Sequence, residues 1–264
     1  MNIREKSFGY PQFNEKGEKD ILNREGIYKD MMMDMKSFKM LPGTDRVFES
    51  AGDETAVVLL RGKVTFDVSG TKYTARRDSF IRDGLWCLHA ARNTLIKVTA
   101  LEESEIVSVS TENDAEFAPV FYTPENTREN MACENIWNNS AVRKVRTAFE
   151  YTNAPYSNLV LGETVMYPGC WSGFVPHYHV QPEVYYFRME NPDGFGASFV
   201  GEEVFKIKDG SFCAVGRNLV HPQVAAPGYP IYYLWLIRHL PGDPWVREKC
   251  SNERVHEWLL GQKA

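Results

Sequence analysis

The stretch His177-Tyr178-His179-Val180-Gln181-Pro182-Glu183 places three metal-binding side chains within seven residues. Residues i and i+2 of an extended strand point to the same face, so His177 and His179 can bind one ion together. Glu183 follows a short turn and can close on the same point, and His221 can reach it from a distant strand. Three imidazole nitrogens and one carboxylate oxygen suit a divalent transition metal, so the sequence predicts a metal site at these four residues.

Short apolar runs separated by turn residues extend from this stretch in both directions. Residues 64–68 alternate between apolar and polar side chains, which is typical of a strand with one solvent-exposed face. The 13 Tyr, 15 Phe and 6 Trp residues are spread through such runs, and aromatic residues favour strands. Many short strands without amphipathic helices predict an all-β chain.

The strand pattern occurs twice, on either side of a turn-rich and partly basic join. We therefore expect two double-stranded β-helix barrels in tandem. The predicted domains are an N-terminal barrel over 1–120, a linker over 121–150 and a C-terminal metal-binding barrel over 151–264. His89 stands in the first half without a neighbouring His or Glu at ligand spacing, so the N-terminal barrel is predicted to lack a metal site.

Composition excludes several classes of protein. The 264 residues are 43% hydrophobic and 25% charged, as in a soluble globular protein, and the net charge of −5 argues against nucleic acid or an anionic membrane as partner. No apolar run approaches the length of a membrane span, and the N-terminus lacks the apolar segment of a signal peptide. The five cysteines are scattered, without a C-x-x-C pair, which indicates reduced thiols and a cytoplasmic location.

Several stretches of the C-terminal half resemble one family of enzymes. The chain is similar to bicupins and, more narrowly, resembles the sugar isomerase family of 5-deoxyglucuronate isomerase and 4-deoxy-5-keto-uronate isomerase. The resemblance covers about residues 30–260 and is strongest over 159–245. The matching stretches are Leu161-Gly162-Glu163-Thr164-Val165, Gly169-Cys170-Trp171-Ser172, Pro176-His177-Tyr178-His179, Glu183-Val184-Tyr185-Tyr186-Phe187-Arg188, His221-Pro222-Gln223-Val224-Ala225, Tyr232-Tyr233-Leu234 and His256-Glu257-Trp258-Leu259.

The resemblance implies a divalent metal and the aldose–ketose isomerisation of a small anionic sugar. By position it carries over the same four ligands, His177, His179, Glu183 and His221. We expect Mn or Zn, with Fe, Co or Ni as alternatives that accept the same ligand set. The family also implies a homo-oligomer.

Around the ligands the chain departs from the 5-deoxyglucuronate branch of the family. That branch usually carries an acidic residue directly after the second His and an insertion before the Glu. Here Val180-Gln181-Pro182 connects the two ligands with neither. Trp235 looks more like the keto-uronate branch. The substrate therefore stays open between 5-deoxyglucuronate, a 6-sulfo sugar such as sulfoquinovose and a 4-deoxy-5-keto-uronate.

Further side chains are predicted to act on the substrate. Tyr185 shares a strand face with Glu183, so Glu183, Tyr185 or a metal-bound hydroxide is expected to move the proton between C1 and C2. An acidic sugar needs a permanently charged, planar clamp at its anionic end, which an arginine provides. The predicted substrate-binding residues are Arg217, Arg188, Arg238, Tyr233, Trp235 and Phe199.

Two other functions are compatible with the same residues. A bicupin could bind or sense a sugar acid without turning it over, although a complete metal set argues against a pure binder. A cupin with three His and one Glu can also bind iron and O₂ and act as an oxygenase. A requirement for O₂ would distinguish that oxygenase from an isomerase.

Overall fold

The computed structural model describes residues 7–261, and over them the chain is almost entirely β-structure, so the predicted all-β class is confirmed. The described residues also form four short 3-10 helices, Gly26–Met31, Trp137–Asn139, Arg247–Lys249 and Arg254–Gly261. The strands are, in chain order, β1 (Phe8–Gly9), β2 (Glu18–Leu22), β3 (Asp34–Met40), β4 (Asp45–Phe48), β5 (Asp53–Val68), β6 (Thr71–Arg77), β7 (Cys87–Ala90), β8 (Ile96–Ala100), β9 (Ser104–Glu112), β10 (Val120–Tyr122), β11 (Arg128–Ala132), β12 (Arg143–Phe149), β13 (Leu159–Met166), β14 (Trp171–Ser172), β15 (His177–Tyr178), β16 (Glu183–Arg188), β17 (Gly196–Val200), β18 (Glu203–Ile207), β19 (Phe212–Val215), β20 (Gln223–Ala225), β21 (Ile231–Arg238) and β22 (Ser251–Asn252).

The chain divides into two compact units. The N-terminal unit consists of Pro11–Thr127 and the short segment Asn153–Asn158. The C-terminal unit consists of Arg128–Thr152, the chain from Leu159 onward and the segment that ends at Tyr10. Within the predicted linker, 121–150, the structure has strands β11 and β12, which pair with each other in the sheet of the C-terminal unit. The division into 1–120, 121–150 and 151–264 as domains stays a prediction.

The N-terminal unit is built around the long strand β5. One sheet has the order β10-β7-β5-β9-β3-β2, and the second half of β5 also pairs with β6 and β8. The apolar residues of the alternating stretch, Val64, Phe66 and Val68, are buried in the core, as the sequence pattern predicts. His89 is fully buried, and its Nε2 lies 3.1 Å from Oε2 of the equally buried Glu54.

The C-terminal unit carries two larger sheets and a small ribbon. The seven-stranded sheet has the order β1-β19-β16-β21-β13-β12-β11, and the four-stranded sheet has the order β14-β20-β17-β18. Strand β15 pairs with β22, which places His177 opposite Asn252. Aromatic side chains pack across β16 and β21, where Tyr185 is opposite Trp235 and Phe187 is opposite Tyr233. The rings of Tyr185, Tyr233 and Trp235 form one side of the cavity described below.

No helix among residues 7–261 is long and apolar enough to cross a membrane.

Candidate metal centre

Four sequence-predicted ligands come from three places in the C-terminal unit. His177 lies in β15 and His179 directly follows it. The tight turn through Pro182 then leads to Glu183, the first residue of β16. His221 lies in the loop before β20. Gln181 stabilises this turn, because its side-chain Nε2 donates to the backbone carbonyl of Asp243 at 2.9 Å.

The backbone orients all three imidazole rings in the same way. Nδ1 of His177 lies 3.0 Å from the carbonyl oxygen of Val175. Nδ1 of His179 lies 2.9 Å from the carbonyl oxygen of Gln181, and Nδ1 of His221 lies 2.7 Å from that of Leu219. A carbonyl oxygen can only accept, so each Nδ1 carries the proton and donates it. Metal-binding histidines are held by such contacts, which leave Nε2 to face the ion.

The Nε2 atoms converge on one carboxylate oxygen. Oε2 of Glu183 lies 3.1 Å from Nε2 of His179 and 3.3 Å from Nε2 of His221. Ligand atoms of these three buried residues all lie within 4.8 Å of one another. The ring of His177 is next to them, with its centroid 5.0 Å from that of His221. Three of the four predicted ligands therefore converge at one point, and the ring of the fourth, His177, lies beside them.

The chemistry of this donor set calls for a cation. Nε2 of His221 is buried and has no hydrogen-bond partner among the described residues. If each Nδ1 carries the ring proton, each Nε2 presents a lone pair, and two lone pairs then face an anionic carboxylate. That arrangement is repulsive unless a proton or a metal ion lies between the groups. Three nitrogens and one oxygen form a donor set that fits a divalent transition metal.

The pKa shifts at the cluster come from burial and from the close approach of the histidine rings to one another and to the Glu183 carboxylate. Burial alone would raise the pKa of the Glu183 carboxyl, but the His179 and His221 rings hold it well below its ordinary value. Burial would lower the pKa of His221, but the Glu183 carboxylate raises it. Burial and the neighbouring His221 ring lower the pKa of His177 to about 4. Positive charge is thus favoured beside Glu183, and His177 is neutral at pH 7.

A small cavity of about 90 Å³ opens onto the cluster; we call it the inner chamber. Its wall is partly aromatic and partly polar, and it is formed by Arg143, Val145, Thr164, Ser172, Gly173, His177, His179, Glu183, Tyr185, Tyr233, Trp235, Ile237, Trp245 and Arg247. The phenol of Tyr233 is 2.6 Å from the Ser172 hydroxyl, and the ring of Tyr185 packs against Tyr233 with centroids 5.0 Å apart.

The two phenols of the inner chamber are held protonated. Burial and the neighbouring Glu183 carboxylate raise the pKa of Tyr185 well above its ordinary value. Burial also raises the pKa of Tyr233, an effect that the nearby Arg143 guanidinium partly opposes. At neutral pH both groups are therefore available as hydrogen-bond donors to an oxygen of a bound molecule.

A glycine on the neighbouring strand makes room for the indole of Trp235. Gly162 on β13 is opposite Trp235 on β21, and a Cβ at Gly162 would lie 2.2 Å from Cζ2 of the indole and 2.6 Å from the backbone oxygen of Arg146. The indole thus packs directly against the backbone of β13 at Gly162, in the wall of the chamber.

The other predicted substrate-binding residues lie outside the lining of this chamber. Arg188 pairs with Asp209 at 2.8 Å, Arg217 is exposed, and buried Arg238 donates to the carbonyl of His239. Phe199 stacks on Trp171, with ring centroids 5.6 Å apart. For these four residues a substrate role stays a prediction, whereas Tyr185, Tyr233 and Trp235 do line the chamber.

Sequence reasoning missed two arginines of the chamber. Arg143 is the first residue of β12, inside the predicted linker, and Arg247 begins the short helix after β21. Arg143 and Val145 are two residues apart on β12, and Val145 pairs with Thr164, which pairs with Tyr233. The basic run at residues 143–146 was the available signal, but only the strand register shows that one of its arginines faces the chamber.

The chain matches the model of the KduI/IolB family over residues 11–259. It belongs to the KduI/IolB family. It is 23% identical, over 95% of its length and 97% of the relative's, to a protein of Bacillus licheniformis named 5-deoxy-glucuronate isomerase. It is 24% identical, over 81% of both chains, to the protein of that name from Geobacillus thermodenitrificans.

Solved structures show the same fold. An IolB-like protein from Salmonella typhimurium superposes with a TM-score of 0.85 over 97% of this chain and 99% of its own, at 18% identity. An oxalate decarboxylase from Lactobacillus farciminis superposes with a TM-score of 0.69 over 97% and 90% of the two chains, at 11% identity. These likenesses confirm the predicted bicupin fold.

Proposed function

We propose that this isomerase of the KduI/IolB family interconverts the aldose and ketose forms of an anionic hexose derivative at a divalent metal site. The observation that carries the proposal is the convergence of the His179 and His221 Nε2 atoms on Glu183, at the floor of a small chamber. Curated relatives over most of the chain are named as isomerases of 5-deoxy-glucuronate, a sugar acid.

His177, His179, Glu183 and His221 would hold the metal, with each histidine presenting Nε2. When bound there, a divalent metal supplies Lewis-acid polarisation of a carbonyl and makes the neighbouring C–H more acidic. The short connection from His179 to Glu183 and the three carbonyl anchors fix the ligands in advance, so little reorganisation accompanies binding.

The side chains of the inner chamber orient the sugar and handle its protons. Tyr185, buried beside Glu183, is assigned as the donor to the sugar oxygen that gains negative charge as the proton moves between C1 and C2. The Tyr233–Ser172 pair offers a second donor and acceptor for a sugar hydroxyl. Glu183 stays ionised and is held by two rings, which suits a ligand better than a mobile base.

For the substrate we propose 5-deoxyglucuronate first, because the curated relatives carry that name. A 6-sulfo sugar or a 4-deoxy-5-keto-uronate is the alternative, since Val180-Gln181-Pro182 departs from the 5-deoxyglucuronate branch next to the ligands. Mn or Zn is the expected metal. The homo-oligomer and the cytoplasmic location stay predictions.

Proton NMR in D₂O tests this proposal. The metal-loaded protein is incubated without O₂ with 5-deoxyglucuronate, sulfoquinovose, glucuronate and a 4-deoxy-5-keto-uronate, beside the variants His179→Ala and His256→Ala. We expect interconversion of one sugar, lost in His179→Ala and kept in His256→Ala, whose ring lies outside the cluster. No turnover of any sugar by a fully metal-loaded protein would refute the proposal.

A further inference from the structure

The inner chamber continues into a second and wider cavity. This outer chamber, of about 370 Å³, shares four lining residues with the inner one: Arg143, Val145, Trp245 and Arg247. The inner chamber, at about 90 Å³, is roughly a quarter of the size of the outer one. A hexose derivative with its carbonyl end at the cluster would therefore extend towards the two shared arginines and the outer chamber.

Arg143 presents a preformed binding fork at this passage. Its Nη1 is anchored by the backbone oxygen of Ala141 at 3.0 Å and by Sγ of Cys133 at 3.2 Å. Nε and Nη2 have no hydrogen-bond partner among residues 7–261, and no described carboxylate pairs with the guanidinium. A guanidinium fixed at one nitrogen, with N–H groups free on the others, is suited to a carboxylate or another planar or tetrahedral anion.

Arg247 supplies a second cation at the passage. Its guanidinium carbon lies 5.9 Å from the centroid of the Trp245 ring, and it forms no ion pair with any carboxylate of the described chain. Trp245 in turn packs edge-on against His179, with ring centroids 6.2 Å apart. Arg247 is thereby linked by direct packing to the cluster, yet it remains exposed at the outer end.

The third arginine of the outer chamber is already occupied. Arg128 binds Glu150 through two hydrogen bonds, from Nη1 to Oε1 at 3.0 Å and from Nη2 to Oε2 at 3.1 Å. Glu248, the remaining acid of the lining, is exposed to solvent. Glu150 also interacts electrostatically with Arg247, but no described carboxylate forms an ion pair with Arg143 or Arg247 where the two chambers meet.

We infer that Arg143 and Arg247 bind the anionic end of the substrate, so that the sugar lies with its carbonyl end at the cluster and its anion at the junction of the chambers. This inference rests on the proposed function for the identity of the substrate as a sugar. It assigns to these two residues the clamp that sequence reasoning sought at Arg217, Arg188 and Arg238. The two arginines would then favour sugars whose anionic group is at the end opposite to the carbonyl. An anion next to the carbonyl would instead lie in the inner chamber.

Binding of a matched pair of sugars tests the assignment. D-Glucuronate and D-glucose differ only in a carboxylate or a hydroxymethyl group at C6, and the Trp235 and Trp245 indoles in the wall report binding by fluorescence. We expect the metal-loaded protein to bind glucuronate more tightly than glucose. Arg143→Gln and Arg247→Gln should each weaken glucuronate binding by about 10- to 100-fold, the range for a hydrogen bond to a charged group, and leave glucose binding unchanged.

Two variants serve as controls for charge and geometry. Arg143→Lys keeps the charge but not the fork, and should fall between the wild type and Arg143→Gln. Arg61→Gln removes one positive charge from an exposed position of the N-terminal unit, and should change neither affinity. Equal affinity of the wild type for both sugars, or an equal loss for both sugars in the arginine variants, would overturn the inference.

Turnover plays no part in this readout. If the protein distinguishes glucuronate from glucose through Arg143 but isomerises no sugar of the NMR panel, the anion site is supported and the proposed function is refuted. If the protein isomerises an anionic sugar but both glutamine variants keep the wild-type preference for glucuronate, the proposed function is supported and the anion site is refuted.

Discussion

Backbone carbonyl groups decide which histidine nitrogen faces the cluster. The acceptors for His177 and His179 lie two residues away along the chain, and the same holds for His221. Such short-range contacts form wherever the local turn forms, so the rings are oriented by their own loops. The orientation of each ring is therefore a property of local sequence, whereas the meeting of His221 with the other ligands and the wall of the chamber depend on the packing of distant strands.

Tyr185 gives the sharpest prediction at a single residue. Tyr185→Phe removes the phenol oxygen beside Glu183 and leaves the ring that packs on Tyr233. We expect kcat to fall by about 10²- to 10⁴-fold, the range for a lost general acid, with metal content unchanged. Tyr186→Phe on the opposite face of β16 is the matched variant and should keep kcat. An unchanged kcat in Tyr185→Phe would contradict the assigned role.

Gly162 gives a second prediction at the residue scale. Gly162→Ala places a Cβ within 2.2 Å of the Trp235 indole, so the ring must leave its position in the chamber wall. We expect a loss of about 1–3 kcal/mol in the free energy of unfolding, from overpacking, together with shifted tryptophan fluorescence. A Cβ at Gly52 meets no atom within 4 Å, so Gly52→Ala is the control. Wild-type stability and fluorescence in Gly162→Ala would show that the indole is not confined.

An ion-pair network, buried at Arg146 and Glu163 and exposed at Glu129, joins β11, β12 and β13 on the face opposite to the chamber. Arg146 contacts Glu163 through Nη1 and Glu129 through Nε, both at 2.7 Å, and Tyr232 donates to Glu163 at 2.9 Å. Arg146→Met would leave the buried Glu163 carboxylate without its cation. We expect the free energy of unfolding to fall by about 3–5 kcal/mol at pH 7, measured by urea denaturation.

The pH dependence of this loss has a definite sign. Burial would raise the pKa of Glu129, but Arg146 lowers it below the ordinary 4.5. The share of the stabilisation that comes from Glu129 is therefore present above about pH 4.5 and lost as the pH falls, so the gap between wild type and Arg146→Met should narrow in acid. Lys144→Met, which removes only a longer contact of 3.5 Å to Glu129, should cost under about 1 kcal/mol. A gap that widens below pH 4.5 would be inconsistent with this network.

The C-terminal segment holds the strand that carries His177. Strand β22 pairs with β15, the backbone N–H of Glu253 donates to Pro176 at 2.8 Å, and the Trp137 indole donates to Leu259 at 3.1 Å. Deleting residues 251–264 should free His177 and weaken metal binding by about 10- to 100-fold, as loss of ligand support does elsewhere. Titration calorimetry measures this. Val255→Ser changes only an exposed side chain and should bind as the wild type does; equal affinity of the truncated protein would contradict the role of β22.

At the scale of the whole molecule, the sequence predicts the fold and the ligand cluster more readily than it predicts the residues that line the chamber. Period-two alternation identifies strands such as β5, and His179 and Glu183 are separated by only one turn. Arg143 reaches the chamber through the register of β12 with β13, and Arg247 reaches it from the loop after β21. Such non-local pairing leaves no local pattern, so the sequence points to Arg188, Arg217 and Arg238 but not to Arg143 or Arg247.

The most direct test of the account is a metal titration of the protein after it has been stripped with a chelator. Mn²⁺ or Zn²⁺ is added stepwise, and bound metal and the rate of sugar isomerisation are followed in the same samples, with His221→Ala alongside. We expect activity to return in proportion to bound metal and to reach its maximum at one ion per chain, while His221→Ala regains neither. Full isomerisation by the metal-free protein, or by His221→Ala, would contradict the account.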